Sequence, residues 1–295
     1  MLHNAGHFVT GQEKVVTSGG GSSRLSYLMR EVINKINSKV LGAESPYAVL
    51  LPVDYSESQV EYPVLYLMHG LFGQYDNWLK LTKIEELSRD SRLIIVMPEG
   101  RDGWYCDSET VPVDKYETFL TEELLPSIET TYRTVRDKKG RAIAGLSMGG
   151  YGAFKYALKK PHLFAFAASF SGAFDAAERT DESPGFNWDE LRPSILRAFG
   201  EDQSPTRVQN DLFKLFTATR ASEIKKLPYF YFDCGCNDGF MEANVRLKQI
   251  LEEKGIDHYF AAIEGGHDWD YWGSRLPKLL ALATERLIGT VQPSS

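Results

Sequence analysis

Short apolar runs that alternate with stretches of helical periodicity constrain the fold of this 295-residue chain more than any other feature. Each run is apolar on both faces and is bounded by Gly or Pro, a pattern typical of strands buried on both sides of a sheet. The runs occupy residues 47–52, 62–70, 92–100, 141–147, 163–172, 228–235 and 258–266. The helical stretches occupy residues 115–132, 150–160, 240–255 and 275–288. This alternation predicts an α/β fold with a mostly parallel central sheet, helices on both of its faces, and functional residues at the carboxyl ends of the strands.

Two segments stand apart from this alternation. Residues 1–25 are polar, rich in Gly and Ser and without periodicity, so we expect a flexible amino-terminal arm. Residues 173–226 are too long for an ordinary loop and hold two short helical patterns, which predicts a small cap over the functional site. The remainder, 26–295, is long enough to bury one large core, and we interpret it as a single domain that includes the cap.

A serine lies between a predicted strand and a predicted helix in "AGLSMGGYGAF", residues 144–154, where Gly145, Ser147 and Gly149 form a G-x-S-x-G pattern. A sharp strand-to-helix turn of this kind raises the serine Oγ above the sheet edge, and its flanking positions have no room for side chains. The first amides of the helix then point at whatever binds there. The alternative is a glycine-rich turn that contains a serine by chance. The context favours Ser147 as a nucleophile.

A serine nucleophile needs a base, which is most often histidine. Of the six histidines, four lie in the arm or at the opposite end of the predicted sheet: His3, His7, His162 and His258. His267 follows the last predicted strand in a Gly-rich loop and is our candidate base, although Asp268 or Asp270 could instead bind it as an ordinary loop histidine. His69 begins the loop after an early strand, where we expect it to shape the backbone so that an N–H near Leu71 joins that of Met148 in an oxyanion hole.

The third member of such a triad is a carboxylate between the serine and the histidine in sequence. "YFDCGCNDGF" offers Asp233, which still belongs to the predicted strand, and Asp238, which lies beyond the Gly235 turn. Because a residue past the turn reaches another loop more easily, we assign Asp238 to hold the imidazole tautomer. We expect Asp233 to be bound locally by the amides of the turn.

The order of these motifs resembles the putative-esterase (esterase D-like) family of α/β-hydrolases over residues 30–290. The similarity rests on "YPVLYLMHGLFG", "GWYCDS", "YETFLTEELLPSIETTY", "AGLSMGGYGA", "DCGCND" and "GGHDWDYW". The resemblance implies an α/β-hydrolase fold, the triad Ser147, Asp238 and His267, and oxyanion donors at Leu71 and Met148.

Within that family, "GLSMGGYGA" and "GGHDWDYW" are more similar to carboxylesterases and feruloyl esterases than to S-formylglutathione hydrolases. The latter tend to carry a histidine before the serine, where this chain has Leu146. Cys106 also departs from the family, which often has threonine in "GWYCDS".

The five tryptophans all fall in segments that we place at the predicted catalytic face or its cap. We expect Phe72, Trp104, Trp188 and Trp269 to contact substrate, because such rings suit a cinnamoyl group or a sugar ring. The alternative is that these aromatic side chains pack against one another.

The composition excludes several other classes of function. The formal charge of −7 and pI near 5.5, without a long Lys/Arg run, disfavour nucleic acid as a partner. No metal or cofactor motif is present, three cysteines do not make a disulfide framework, and no apolar run is long enough to span a membrane. The default location is the cytoplasm, or outside the cell if an export signal has been removed.

These observations predict a serine carboxylesterase that needs no cofactor and acts on small-molecule esters with short acyl or cinnamoyl (feruloyl) groups, some of them carried on carbohydrate. An S-formylglutathione hydrolase, a sugar acyltransferase of the same family, and a carbohydrate-binding protein with a retired site stay open as alternatives. Homo-oligomerisation also stays open.

Overall fold

Within the residues that the structure describes, nine strands form one sheet in the order β1-β2-β3-β5-β4-β6-β7-β8-β9. The structure, a computed structural model, describes residues 12–13 and 30–288. The strands are β1 (Gln12–Glu13), β2 (Arg30–Ser38), β3 (Ala43–Leu51), β4 (Val64–Met68), β5 (Ile94–Pro98), β6 (Arg141–Leu146), β7 (Phe166–Phe170), β8 (Tyr229–Gly235) and β9 (His258–Ile263).

The six strands from β4 to β9 are parallel, and β1 to β3 pair antiparallel with their neighbours. The predicted α/β-hydrolase fold with a mostly parallel sheet is therefore confirmed. Every predicted apolar run overlaps one of the strands β3 to β9, although β3 begins at Ala43, four residues before its run. Strand β9 differs from the expected burial on both sides, because it is an edge strand on which Tyr259 is 53% exposed.

Strand β2 was not predicted. Its sequence "REVINKINS" mixes polar and apolar residues and gives no continuous apolar run, since it pairs at the antiparallel end of the sheet. Of the predicted flexible arm, only Gln12–Glu13 lies within the described residues, and these form a strand on Val32 and Ile33. The rest of the arm, residues 1–11 and 14–25, lies outside them.

Helices connect the strands on both faces of the sheet. They are α1 (Asn77–Leu81), α2 (Ile84–Leu87), α3 (Tyr116–Thr118), which continues through a π-helical segment (Phe119–Leu124) into α4 (Leu125–Thr131), α5 (Met148–Lys159), α6 (Trp188–Phe199), α7 (Pro205–Asn210), α8 (Leu212–Ala218), α9 (Ala221–Ile224), α10 (Met241–Lys254) and α11 (Trp269–Ile288). A short 3₁₀ turn (Lys138–Gly140) precedes β6.

Alternate residues of the central strands divide the buried side chains into two cores. In β7, Ala167 belongs to the core beneath α5 and α10, whereas Phe166 and Phe170 belong to the core beneath α11. Because both faces of these strands are buried, successive residues along each strand are apolar and form a continuous apolar run in the sequence. Helix α5 packs on β6 and β7, which fixes its amino terminus at the carboxyl end of β6.

A buried ion pair ties α5 to the rest of the first core. Lys155 is 0% exposed; its Nζ lies 3.2 Å from Glu117 Oε2 and donates to the Tyr105 carbonyl at 2.7 Å. Burial alone would raise the pKa of Glu117, but Lys155 and Lys159 outweigh it and lower that pKa. The carboxylate therefore stays charged beside its two lysines.

Residues 173–226, which we predicted to form a cap and call the insertion below, lie between β7 and β8 and hold four helices, α6 to α9, rather than two. The loop after β5 attaches α6 to the main body. Ser108 Oγ donates to the Arg197 carbonyl at 2.6 Å, and the Glu109 amide donates to the Ala198 carbonyl at 3.0 Å. No helix among the described residues is both long and apolar enough to cross a membrane.

Candidate active site

Ser147 stands at the sharp turn between β6 and α5. Its backbone has φ 51° and ψ −116°, a region that L-residues rarely adopt, and its amide donates to the Phe170 carbonyl at 2.9 Å. A Cβ at Gly145 would lie 2.5 Å from the Gly149 carbonyl carbon, and one at Gly149 would lie 2.5 Å from the His69 carbonyl oxygen. The turn therefore needs glycine at both positions, as the G-x-S-x-G pattern predicts.

The loop after β9 brings His267 to this serine. His267 Nε2 lies 3.1 Å from Ser147 Oγ, and Nδ1 lies 2.9 Å from Asp238 Oδ2. With the carboxylate holding a proton on Nδ1, Nε2 is free to accept the serine proton. Asp268, the alternative partner of the histidine, instead accepts from the Tyr271 amide at 2.8 Å and caps α11.

Asp238 lies in the loop after β8, is 6% exposed, and also accepts from the Phe240 amide at 2.8 Å. Burial alone would raise its pKa, but hydrogen bonds from His267, Ser171 and Phe240 outweigh burial and lower the pKa. The aspartate is therefore ionised while it contacts the imidazole.

The rival aspartate has different partners from those we expected. Asp233 is fully buried and accepts from the hydroxyls of Tyr231 and Tyr271, each at 2.7 Å, and from Arg275 Nε at 3.0 Å. These side chains, and not the amides of the turn, bind it. They join β8 to α11, and among the described residues Asp233 makes no hydrogen bond to His267.

Aromatic rings surround the imidazole of His267. Its centroid lies 5.0 Å from that of Phe240, 4.9 Å from that of Trp272 and 6.2 Å from that of Phe186. The Trp272 ring is perpendicular to the imidazole, and its Nε1 donates to Ser171 Oγ at 3.2 Å. These rings limit rotation of the imidazole about its hydrogen bond to Asp238.

The loop after β4 carries the candidate oxyanion donor Leu71. His69 Nδ1 lies 2.7 Å from the Gly70 carbonyl oxygen, which places His69 within this loop and not on Ser147. In a trans peptide, C=O and N–H point in opposite directions, so this bond turns the Leu71 N–H away from His69. Met148, the other candidate donor, is the first residue of α5, where amides have no acceptor within the helix.

Ser147 opens into a cavity of about 200 Å³. Its walls are Gly70, Leu71, Phe72, Leu146, Ser147, Phe186, Asn187, Glu190, Leu191, Phe240, His267, Trp269 and Trp272. Phe72 and Trp269 thus lie where we expected substrate contacts. Sequence reasoning missed Phe186 and Phe240; the position of Phe240, two residues after Asp238, was the available signal.

The predictions for Trp104 and Trp188 are corrected, because neither side chain lines the cavity. Trp104 is 1% exposed, packs 5.9 Å from the rings of Tyr151 and Phe199, and donates to Ser194 Oγ at 3.0 Å. Trp188 donates to Asp181 Oδ1 at 2.9 Å. Trp104 therefore packs the loop after β5 against α6, whereas Trp188 makes a hydrogen bond within residues 173–226. Mutual packing, the other alternative, also occurs, since the Trp269 ring lies 5.3 Å from that of Trp272.

Cys106, the departure from the family pattern, is buried and its side chain faces the Gly103 carbonyl oxygen at 3.4 Å. Burial raises the pKa of this thiol to about 11, so it stays protonated and is not a second nucleophile. Within residues 30–288, no cluster of His, Cys, Asp and Glu could hold a metal ion.

Comparison with known proteins finds relatives that are named for ester chemistry. The model of a family described as "Putative esterase" matches residues 38–283. An esterase of Mycobacterium tuberculosis is 31% identical over 88% of this chain, which spans only 59% of that relative's length. An acetyl esterase of Caldicellulosiruptor saccharolyticus is 29% identical over 80% of this chain and 91% of its own.

Solved structures agree with these relatives. A ferulic acid esterase superposes with a TM-score of 0.75 at 28% identity, covering 88% of this chain and 98% of the other. An S-formylglutathione hydrolase of Staphylococcus aureus has a TM-score of 0.70 at 21% identity over 87% of this chain and 99% of its own, which is a likeness of fold alone.

Proposed function

Because the chain belongs to the putative esterase family, we propose that it is a serine carboxylesterase that works through an acyl-enzyme. The observation that carries this proposal is the chain of hydrogen bonds from Ser147 Oγ through His267 to Asp238, at the floor of an open cavity. A carbohydrate-binding protein with a retired site would place no demand on these bonds.

The geometry gives each residue a step in the reaction. Ser147 Oγ attacks the ester carbonyl while its proton passes to His267 Nε2, and Asp238 stabilises the resulting imidazolium. The carbonyl oxygen becomes an oxyanion, which the N–H groups of Leu71 and Met148 would bind. His267 then gives its proton to the leaving alcohol, and a water molecule attacks the acyl-enzyme by the same route in reverse.

The cavity favours uncharged esters with a short or flat acyl group. Rings supply most of its apolar wall, notably Phe72, Phe186 and Trp269, and such rings suit a small aliphatic or a cinnamoyl acyl chain. The named activities of the ferulic acid esterase and of the acetyl esterase support the same range.

Charge in the cavity disfavours the S-formylglutathione alternative. No Lys or Arg belongs to the described residues that line the cavity, whereas the exposed carboxylate of Glu190 does. The glutathione moiety carries carboxylates, which would meet no partner here and would approach a like charge. The Leu146 position, where a histidine is usual in those hydrolases, agrees with this view.

The test is hydrolysis of p-nitrophenyl acetate, butyrate and octanoate and of methyl ferulate, with S-formylglutathione as the charged comparison. We expect turnover of the uncharged esters, a single fluorophosphonate adduct on Ser147, and loss of several orders of magnitude in kcat for Ser147→Ala. Ser222→Ala, an exposed serine of α9, is the matched control. Activity of Ser147→Ala close to that of the unmodified chain would refute the proposal.

A further inference from the structure

The loop that follows β5, residues 99–105, holds the segment that carries the candidate oxyanion donor. Asp102 Oδ1 accepts from the Phe72 amide at 2.8 Å. Glu99 accepts from the Tyr75 amide at 3.3 Å, and the Tyr105 hydroxyl donates to the His69 carbonyl at 3.2 Å. The loop 99–105 therefore contacts residues 69–75 at its beginning, middle and end.

Of these contacts, the one at Phe72 acts on a residue whose backbone conformation is unfavourable. Phe72 has φ 58°, in the left-handed region that is unfavourable for a bulky residue. Its side chain is 61% exposed, so packing does little to keep the backbone there. Relaxation of this backbone is opposed by the hydrogen bond from the Phe72 amide to Asp102 and by the turn bond from the Gly73 amide to the Gly70 carbonyl at 3.1 Å.

Leu71 lies between two peptide groups that are each held in this way. On one side, His69 binds the Gly70 carbonyl, which belongs to the same peptide as the Leu71 N–H. On the other side, Asp102 binds the Phe72 amide, which belongs to the next peptide. Two fixed peptides leave the backbone angles of Leu71 little freedom, and so they fix the direction of its N–H. Within residues 30–288, that N–H has no acceptor in the protein.

We infer that Asp102 is a positioning residue for the oxyanion hole, acting through the Phe72 amide on the orientation of the Leu71 N–H. This inference rests on the proposed esterase function. An oxyanion donor is effective only when it is already aimed at the position of the developing charge, so a loosened Leu71 would weaken binding of the transition state more than that of the substrate.

The acceptor oxygen of Asp102, and not its negative charge, has this role. A carboxylate beside a developing oxyanion would by its charge oppose catalysis. Asn keeps an oxygen in the position of Oδ1 and removes the charge, whereas Ala removes the acceptor. Comparing the two variants therefore separates the hydrogen bond from the charge.

The experiment compares Asp102→Ala, Asp102→Asn and, as a matched control, Asp90→Ala, which changes an exposed aspartate on the loop before β5. We measure kcat and KM on p-nitrophenyl butyrate, Ki for an alkyl trifluoromethyl ketone, and the thermal midpoint. The ketone forms a hemiketal with Ser147 whose oxyanion occupies the hole. For Asp102→Ala we expect kcat to fall by at least about tenfold, KM to change less than threefold, and Ki to rise by the same factor as kcat falls.

Asp102→Asn should recover most of that loss, and Asp90→Ala should match the unmodified chain, with all thermal midpoints within a few degrees. The inference is overturned if Asp102→Ala keeps full kcat, if its kcat falls while Ki for the ketone does not rise, or if Asp102→Asn is as impaired as Asp102→Ala. An unmodified chain that hydrolyses no ester would instead refute the proposed function, and this inference with it.

Discussion

Replacing Asp238 and Asp233 separately by Asn tests the assignment of the triad acid, because the two carboxylates have different partners. Asp238 accepts from the Phe240 amide through Oδ1 and from His267 through Oδ2. In Asp238→Asn, the backbone amide is a fixed donor and retains the oxygen, so the new NH₂ group faces His267. The imidazole must then carry its proton on Nε2, where it cannot accept the proton of Ser147.

The wrong tautomer is expected to lower kcat by roughly 10⁴, or about 5.5 kcal/mol in the activation barrier. The fold should be little affected, since Asn has the same shape and keeps the Phe240 bond. Asp233→Asn removes the charge partner of Arg275, whose side chain is only 18% exposed. Breaking such a pair costs about 3 kcal/mol of unfolding free energy, which would lower the thermal midpoint by roughly 5–10 °C.

The assay is kcat on p-nitrophenyl butyrate together with the thermal midpoint for both variants. Asp238→Asn should be inactive with a midpoint close to that of the unmodified chain, and Asp233→Asn should be less stable with a kcat reduced by less than about tenfold. The reasoning is refuted if Asp238→Asn keeps more than about a tenth of the activity while Asp233→Asn is inactive and folded.

Three other outcomes are expected. Glu117→Gln should lower the thermal midpoint at pH 7. Because the pKa of Glu117 is depressed in the folded state, the stability it contributes is complete above about pH 4.3 and is lost as pH falls through the folded pKa. The midpoints of the two chains, measured from pH 7 to pH 3, should therefore converge in acid, and a constant difference would contradict this. Trp104→Ala should cost about 3–5 kcal/mol of stability, measured by urea unfolding, whereas Trp269→Ala should mainly raise KM; the reverse pattern would return Trp104 to the substrate site. Gly149→Ala should lower both kcat and the thermal midpoint, because its Cβ would meet the His69 carbonyl oxygen at 2.5 Å, and wild-type values for both would show that the turn can relax.

The parts of the site that local geometry dictates could be predicted from the sequence. A glycine-flanked serine between a buried strand and a helix has one conformation available, and the loops after β8 and β9 must end at the same edge of a parallel sheet. Ser147, Asp238 and His267 could therefore be named before their distances were known.

Features that depend on distant partners could not be predicted in this way. Trp104 occupies a loop that is close in sequence to catalytic elements, yet Phe199 and Ser194 of the insertion cover it, and nothing near Trp104 in the sequence indicates them. The position of Phe186 beside His267 depends equally on tertiary packing. Periodicity misses β2 because its mixed sequence does not resemble the apolar runs of the parallel strands.

The division of labour along the chain has a consequence for engineering. The proposed reacting groups lie at turns that follow strands of the sheet, whereas part of the cavity wall comes from one continuous stretch of the insertion: Phe186, Asn187, Glu190 and Leu191. A mutant library confined to Asn187, Glu190 and Leu191 would vary acyl and alcohol preference, whereas Phe186 packs against the His267 imidazole and is kept unchanged. Selection for new esters could then proceed by exchanging this one segment, while the hydrogen bonds that attach α6 through the carbonyls of Arg197 and Ala198 are kept unchanged.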